Sequence, residues 1–99
     1  MVALVPDLMD RSRVTAALPD VEFVSDPTAV AGADVIVVDL ARHAGDVAAI
    51  RAAAPEARVI AFGPHVDDAM LTDASADGAD VVMPRSRFFR DPSDALRGP

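Results

Sequence analysis

Five short runs of apolar residues, rich in Val and Ile, recur along the chain and constrain its fold more than any other feature. The runs are Val2–Val5, Val21–Val24, Val35–Val38, Val59–Phe62 and Val81–Met83. Most of them are continuous rather than alternating with polar residues, which is typical of strands covered on both faces. Because segments with helical signals separate the runs, the pattern predicts a parallel sheet between two layers of helices.

Residues that start and stop helices lie between the runs. Asp10 or Ser12 is expected to cap a first helix, which Pro19 ends. Asp26 followed by Pro27 has the form of a cap and a first helical residue. Only ten residues separate the second run from the third, which is fewer than a parallel crossover usually needs. We therefore predict that the second helix is a stub of one or two turns.

The later helices are predicted from similar signals. Asp46 is expected to cap a third helix, which Pro55 stops. A fourth helix is predicted from three apolar residues at helical spacing: Val66, Met70 and Ala74. Pro92 interrupts the final segment, so either it kinks one last helix or Asp91 caps a short new one that ends at Arg97.

One short unit occurs twice. Residues 31–37 read Ala-Gly-Ala-Asp-Val-Ile-Val, and residues 77–83 read Asp-Gly-Ala-Asp-Val-Val-Met. Each copy places a glycine, Gly32 or Gly78, where the end of a helix needs a left-handed residue before the chain enters a strand. Two such junctions favour strict alternation of strands and helices. We predict one α/β domain over residues 1–99, with a short last helix.

Composition narrows the classes of function. A net charge of −7 opposes a general nucleic-acid surface, which needs clustered cations. The absence of Cys excludes disulfides, thiolate zinc sites and thiol catalysis. No segment reads as a signal peptide, and the apolar stretch at 35–38 is far too short to cross a bilayer. We therefore expect a cytoplasmic protein that binds neither nucleic acid nor membrane.

Polar residues and a glycine follow the predicted strands at their carboxyl ends. They are Asp7 and Asp10 after the first strand, Asp39 after the third, Gly63 and His65 after the fourth, and Arg85 after the fifth. In an open α/β sheet this edge is where ligands bind. Carboxylates and a guanidinium gathered there can hold a divalent cation and an anion such as phosphate. Arg85, Gly63 and His65 are the candidates for lining the cleft.

Four segments give the chain a resemblance to a known family. They are Val-Ala-Leu-Val-Pro-Asp at 2–7, Val-Ile-Val-Val-Asp at 35–39, Val-Ile-Ala-Phe-Gly at 59–63 and Gly-Ala-Asp-Val-Val-Met-Pro-Arg at 78–85. Over nearly its full length the chain resembles a response-regulator receiver domain. The resemblance implies a flavodoxin-like, three-layer fold with five parallel strands in the order 2-1-3-4-5. It also implies a signalling role in a two-component system rather than an enzyme.

The resemblance assigns roles to the acidic residues of the cleft. Asp39 stands where the family carries its phosphorylated Asp. The family holds magnesium with an acidic pair after the first strand, but here that pair reads Pro6 and Asp7, so one acid is missing. Asp10, in the first turn of the next helix, is a candidate replacement. Mg²⁺ is thus a possible cofactor, with Asp7, Asp10 and Asp39 as its ligands.

Other positions depart from the family's pattern. The hydroxyl residue after the fourth strand is Gly63, and the Lys after the fifth is Arg85. Val82 stands at the position of the aromatic switch residue. Arginine keeps the positive charge of lysine but not its geometry. These departures favour an atypical receiver in which phosphorylation is absent or inefficient.

Two other functions stay open. One is a working receiver that is phosphorylated on Asp39 with Mg²⁺. The other is a small flavodoxin-like enzyme or nucleotide-binding module that uses His65 or Asp39, although no glycine-rich phosphate loop supports it. Purely structural roles are also open: Asp39 can cap the next helix, and Arg85 can pair with Asp39 or Asp7.

The C-terminal part of an otherwise acidic chain carries clustered cations and aromatic rings. The residues are Arg85, Arg87, Phe88, Phe89 and Arg90. At helical spacing one Phe enters the core while its neighbour is left partly exposed. An exposed aromatic ring among arginines is a typical anchor for protein binding. We expect this region to bind a protein partner or a second copy of the chain.

Overall fold

The computed structural model describes residues 1–64 and 68–97. Five strands form one parallel sheet in the order β2-β1-β3-β4-β5. They are β1 (Val2–Leu4), β2 (Glu22–Phe23), β3 (Val35–Asp39), β4 (Arg58–Gly63) and β5 (Val81–Pro84). The parallel sheet and its strand order confirm the predicted flavodoxin-like fold. His65 and Val66 lie outside the described residues, so the predictions made for them stay untested.

Six α-helices and two 3₁₀ helices cover the sheet within the described residues. The α-helices are α1 (Leu8–Ala17), α2 (Leu40–His43), α3 (Val47–Ala53), α4 (Asp68–Ala76), α5 (Arg85–Arg90) and α6 (Pro92–Arg97), and the 3₁₀ helices are Pro27–Val30 and Ala44–Asp46. None of these helices is long and apolar enough to cross a membrane.

Two apolar clusters, one on each face of the sheet, form the core. Ile36 and Val38 of β3 pack with α2, α3 and α4, whereas Val37 between them packs with α1, α5 and α6. All three residues are fully buried. The period of two along a strand therefore sends alternate side chains into two different helix layers. This is why the sequence shows continuous rather than alternating apolar runs.

The connection from β2 to β3 is the predicted stub. It is a single 3₁₀ helix, Pro27–Val30, capped by the Asp26 side chain, which accepts from the Thr28 N–H at 2.8 Å. Val30 at its end is fully buried against the core. One short turn is thus enough to close the layer there.

The first helix begins earlier than the sequence predicts. Asp7 is its N-cap, and its Oδ1 accepts from the Asp10 N–H at 3.0 Å. The expectation that Asp10 or Ser12 caps the helix is wrong, since both lie inside it. Pro6 keeps the chain extended until Asp7, which is then the first residue able to cap. The carboxylate of Asp10 is consequently available for another partner.

The helical segment between β3 and β4 is divided into three pieces. Asp39 ends β3 and caps α2 directly, a 3₁₀ turn follows, and α3 begins only at Val47. Asp46 precedes α3 as predicted, but its side chain does not cap the helix. Its Oδ2 instead lies 2.8 Å from Nδ1 of His43. The prediction that the Asp46 side chain caps α3 is therefore wrong.

Two backbone predictions hold. Gly32 and Gly78 have φ of +84° and +120°, the positive angles that their helix–strand junctions require. At the C-terminus, α6 starts at Pro92, and Oδ1 of Asp91 accepts from the Asp94 N–H at 3.2 Å. Asp91 therefore caps a short new helix, and Pro92 does not kink a longer one.

Candidate functional site

An ion pair between α1 and α5 lies at the carboxyl edge of the sheet. Nη2 of Arg85 donates to Oδ1 of Asp10 at 2.7 Å, and Nη1 donates to Oδ2 at 3.0 Å. Only 5% of Asp10 is exposed. Two parallel charge-assisted hydrogen bonds of this kind are the strongest arrangement available to an arginine and a carboxylate. Arg85 thus pairs with Asp10, and not with Asp39 or Asp7 as the structural alternative predicted.

Asp39 is the other buried acid of this edge, with 3% of its surface exposed. Its Oδ1 accepts from the Ala41 N–H at 3.0 Å, which caps α2. Burial raises the pKa of Asp39, and the charge of Asp10 adds to this effect. The hydrogen bond from Ala41 and the charges of Arg85 and His43 lower the pKa, but they do not cancel the effect of burial.

Asp7 completes the group of charges but remains at the surface. Its side chain caps α1, and the residue is exposed. Hydrogen bonds to Asp10 are the main cause of the raised pKa of Arg85, burial opposes them, and the charges of Asp10, Asp39 and Asp7 raise it further. The structure therefore places Asp10 and Arg85 in direct contact and keeps Asp39 and Asp7 within electrostatic range of Arg85.

These residues do not fit a magnesium ion as they stand. Arg85 engages both carboxylate oxygens of Asp10, and Asp7 and Asp39 each give one oxygen to a backbone N–H. Among residues 1–64 and 68–97, no group of three or more His, Asp or Glu side chains is arranged to hold a metal ion. A guanidinium already supplies positive charge here, so a divalent cation has to displace it before it can use Asp10.

Gly63 lies buried at the end of β4, and the space beside it is already filled. A Cβ atom built at this position would lie 3.2 Å from Cδ2 of Leu71 and 3.3 Å from Cβ of Leu40. Both distances are tighter than ordinary van der Waals contact. A hydroxyl side chain at residue 63 would therefore require Leu71 of α4 and Leu40 of α2 to shift by a few tenths of an ångström.

Arg85 also links the cleft to a cluster of three phenylalanines. Phe88 is fully buried and stacks on Phe62 with 4.8 Å between ring centroids. Phe89 is partly exposed and meets both rings edge-on, at 5.0 and 5.1 Å. Cζ of Arg85 lies 4.9 Å from the centroid of Phe89, and Cζ of Arg13 lies 5.7 Å from it. One Phe thus enters the core and its neighbour does not, as predicted.

The remaining arginines of the predicted interface lie at the surface. Arg87 and Arg90 are exposed on α5. Sequence reasoning missed two other surface residues, Leu8 and Met9, which are 76% and 72% exposed in the first turn of α1. Their spacing could have indicated this exposure: neither lies three or four residues from the buried Val14, so neither shares its face of α1.

Comparison with known proteins completes the description of the fold. No family model matches the sequence, and no curated protein matches it either. Among solved structures, the chain superimposes on a response regulator receiver domain protein from Clostridium thermocellum with a TM-score of 0.79 and 17% identity, covering 97% of this chain and 89% of that one. The chain has the receiver-domain fold.

Two further receiver structures are similar. The BeF₃-activated DrrB receiver domain aligns with a TM-score of 0.74 and 16% identity, over 98% of this chain and 96% of its own. A response regulator protein from Burkholderia pseudomallei, solved with a phosphorylated aspartic acid, a calcium ion and citrate, aligns with a TM-score of 0.75 and 19% identity. That alignment covers 96% of this chain but only 64% of the Burkholderia protein. At such identities the similarity establishes the fold alone.

Proposed function

We propose that this chain is an atypical receiver-like signalling module that binds a protein partner without phosphorylation of Asp39. The observation that carries the proposal is the two-pronged ion pair between Arg85 and Asp10, at 2.7 and 3.0 Å. The pair places an internal cation on one of the three carboxylates that a magnesium ion would need.

The chemistry of phosphoryl transfer supports this proposal. Transfer to a carboxylate relies on a metal ion to neutralise the charge that develops on the phosphoryl oxygens. Here Arg85 engages both oxygens of Asp10, so a metal ion would have to displace the guanidinium to use that carboxylate. Asp39 is buried, and its Oδ1 already accepts from the Ala41 N–H that caps α2. Gly63 offers no hydroxyl group to bond a phosphoryl oxygen.

The surface charges support binding of a protein. Arg87 and Arg90 are exposed on α5, and Arg13 and Arg85 lie over the ring of the partly exposed Phe89, in a chain whose net charge is −7. The preceding helix α4 and the turn after it carry exposed acids: Asp68, Asp73 and Asp77. Neighbouring surfaces of opposite sign favour a specific partner or a second copy over indiscriminate association.

A titration followed by NMR tests the proposal. Mg²⁺ and beryllofluoride, a mimic of the phosphoryl group, are added to the uniformly ¹⁵N-labelled chain, and the amides of Asp7, Asp39 and Gly63 are followed. We expect no saturable shifts at these amides, and the same lack of response when Asp39→Asn is titrated. Saturable shifts that are lost in Asp39→Asn would overturn the proposal and favour a working receiver.

A further inference from the structure

A groove of about 580 Å³ runs along the outer edge of β5, away from the cleft described above. Its floor is the strand itself, at Val81, Val82 and Met83, together with Ala95 of α6. The charged residues on its walls are Asp80, Arg87, Arg90, Asp91 and Asp94. The groove is large enough to hold a short stretch of another polypeptide.

The edge of β5 presents unused backbone groups to this groove. The Asp80 N–H donates to the Val59 carbonyl at 2.9 Å, and β5 runs parallel to β4 with Val81 beside Ile60. The Val59 N–H faces β5, where it donates to Oδ2 of Asp80, so the alternate residues Ala61 and Gly63 also bond to β5. Because Ala61 lies beside Val82, it bonds to the residues on either side, and the N–H and C=O of Val82 point away from β4, toward the open side. Within the described residues, no strand pairs with this edge. An open edge of this kind binds an added extended strand.

The acids of the groove already have partners. Oδ2 of Asp80 accepts from Nη2 of Arg51 at 2.7 Å. Oδ1 of Asp94 lies 3.7 Å from Nη2 of Arg97, and Asp91 accepts from the Asp94 N–H. Their negative charge is therefore partly compensated from within the chain.

The arginines of the groove have no such partners. Arg87 and Arg90 are exposed, and neither makes a hydrogen bond, an ion pair or a ring contact with any residue that the structure describes. Arg87 and Arg90 are consequently the charged side chains of the groove that are left for a ligand, although the chain as a whole is acidic. Carboxylates are the complementary groups, since arginine binds them with two parallel hydrogen bonds.

The other side of β5 has a different character. A second, shallower concavity lies between β5 and α4, lined by Leu71, Thr72, Ser75, Ala76 and Val82. These are small or apolar residues without charge. Successive side chains of a strand added to β5 would point alternately to the two sides. One set would meet the arginines and the other set would meet this uncharged surface.

We infer that the β5 edge binds an extended segment of a partner protein in which acidic residues alternate with small apolar ones. The acidic side chains face Arg87 and Arg90, and the apolar ones face α4. The segment adds a sixth strand to the sheet through the backbone of Val82. This inference rests on the proposed function as a protein-binding module and names the chemistry of its partner.

A matched pair of peptides tests the inference on the full chain. The probe is N-acetylated, C-amidated Glu-Val-Glu-Val-Glu, and its control is the Lys-Val-Lys-Val-Lys peptide. We expect the first peptide to cause saturable shifts in the ¹⁵N spectrum at the amides of Val81, Val82, Arg87 and Arg90. We expect the second to cause none. Binding should also weaken with added salt, because ion pairs of exposed side chains are screened.

Three variants separate charge from backbone pairing. The double variant Arg87→Gln/Arg90→Gln should weaken binding by roughly tenfold or more. The control Arg42→Gln removes one positive charge from the exposed surface of α2 and should leave the affinity unchanged. Val82→Pro removes the outward N–H without a change of charge, and proline is tolerated on edge strands. It should abolish binding while thermal unfolding still shows a cooperative fold.

Three results would overturn the inference. One is equal binding of the two peptides, and another is a set of shifts that maps away from β5 and α5. The third is movement of the same amides on dilution of the chain alone, which would make a second copy the occupant. None of these results bears on beryllofluoride at Asp39, so failure of the peptide test is distinguishable from failure of the proposed function.

Discussion

Arg85 donates to both carboxylate oxygens of Asp10, a residue 75 positions away in the sequence. The contact joins the helix after the first strand to the helix after the last, across the carboxyl edge of the sheet. A cation supplied by the chain itself thus occupies the place where charges converge. The stability of the fold and the chemistry of the cleft consequently depend on the same pair.

The two partners of this ion pair should not be equally costly to remove. Arg85→Gln leaves the carboxylate of Asp10, whose side chain is 7% exposed, without its cation, which should cost about 2–4 kcal/mol. Asp10→Asn leaves a guanidinium that is 41% exposed and that water can solvate, at a cost of about 1 kcal/mol. Urea denaturation at neutral pH measures both. Arg42→Gln, on the surface, should change stability by less than about 0.5 kcal/mol. Equal losses at residues 10 and 85 would contradict this account.

Asp39 should make the fold less stable as its carboxyl ionises. Because burial raises its folded pKa above the ordinary value of 3.8, ionisation is harder in the folded than in the unfolded state. The contribution of Asp39 to the free energy of unfolding is then highest when its carboxyl is protonated, and it falls as pH rises from near 3.8 through the raised pKa.

Asp39→Asn should remove this penalty and still cap α2, since the amide oxygen can accept from the Ala41 N–H. We expect the free energy of unfolding to rise near neutral pH. The gain should disappear well below pH 3.8, where Asp39 itself is neutral. Urea unfolding across this range measures it. A gain independent of pH, or a loss at neutral pH, would show that burial does not govern this carboxyl.

Any side chain at residue 63 should overpack the junction between β4, α2 and α4. Gly63→Ala is expected to cost about 1–3 kcal/mol because its Cβ would lie 3.2 Å from Cδ2 of Leu71. Leu71→Ala creates room, so the double variant should lose less than the sum of the single losses. A double-mutant cycle from chemical denaturation measures the coupling. Additive losses would mean that Leu71 does not limit this position.

The four-residue junction that contains Gly78 should depend on glycine for two reasons. Its φ is +120°, and a Cβ would lie 2.9 Å from Cγ of Arg51, whose Nε and Nη2 donate to the Gly78 carbonyl at 3.0 and 2.8 Å. Gly78→Ala should therefore cost about 2 kcal/mol or more. Gly45→Ala is the matched control, because nothing lies within 4 Å of its Cβ position and its φ is ordinary. It should gain roughly 0.5 kcal/mol, and thermal unfolding compares the two.

Most of the fold could be predicted from the sequence because its signals are local. A strand buried on both faces must be apolar at consecutive positions, and runs such as Val35–Val38 show this directly. The run Val21–Val24 was a weaker guide to the length of its strand, since only Glu22 and Phe23 pair with β1, at the edge of the sheet. The start of α1 was also misplaced, because Asp7, Asp10 and Ser12 are all good caps and only the backbone geometry selects one.

The candidate site was less accessible to such reasoning. The ends of parallel strands placed Asp7, Asp39 and Arg85 at one edge, but the choice of partner for Arg85 depends on how α1 is rotated. That rotation is set by burial of Val14 and Leu18 against the sheet, a contact between distant segments. The leucines that fill the space beside Gly63 come from two different helices, at residues 40 and 71, and only the packing of those helices brings them together.

The separation of Asp10 and Arg85 along the chain also has a kinetic meaning. Because a bond that spans 75 positions closes a long loop, we expect it to form late in folding. Interactions absent from the transition state act on the rate of escape from the native state rather than on the rate of reaching it. We therefore expect loss of the ion pair to speed unfolding and so to shorten the lifetime of the folded molecule.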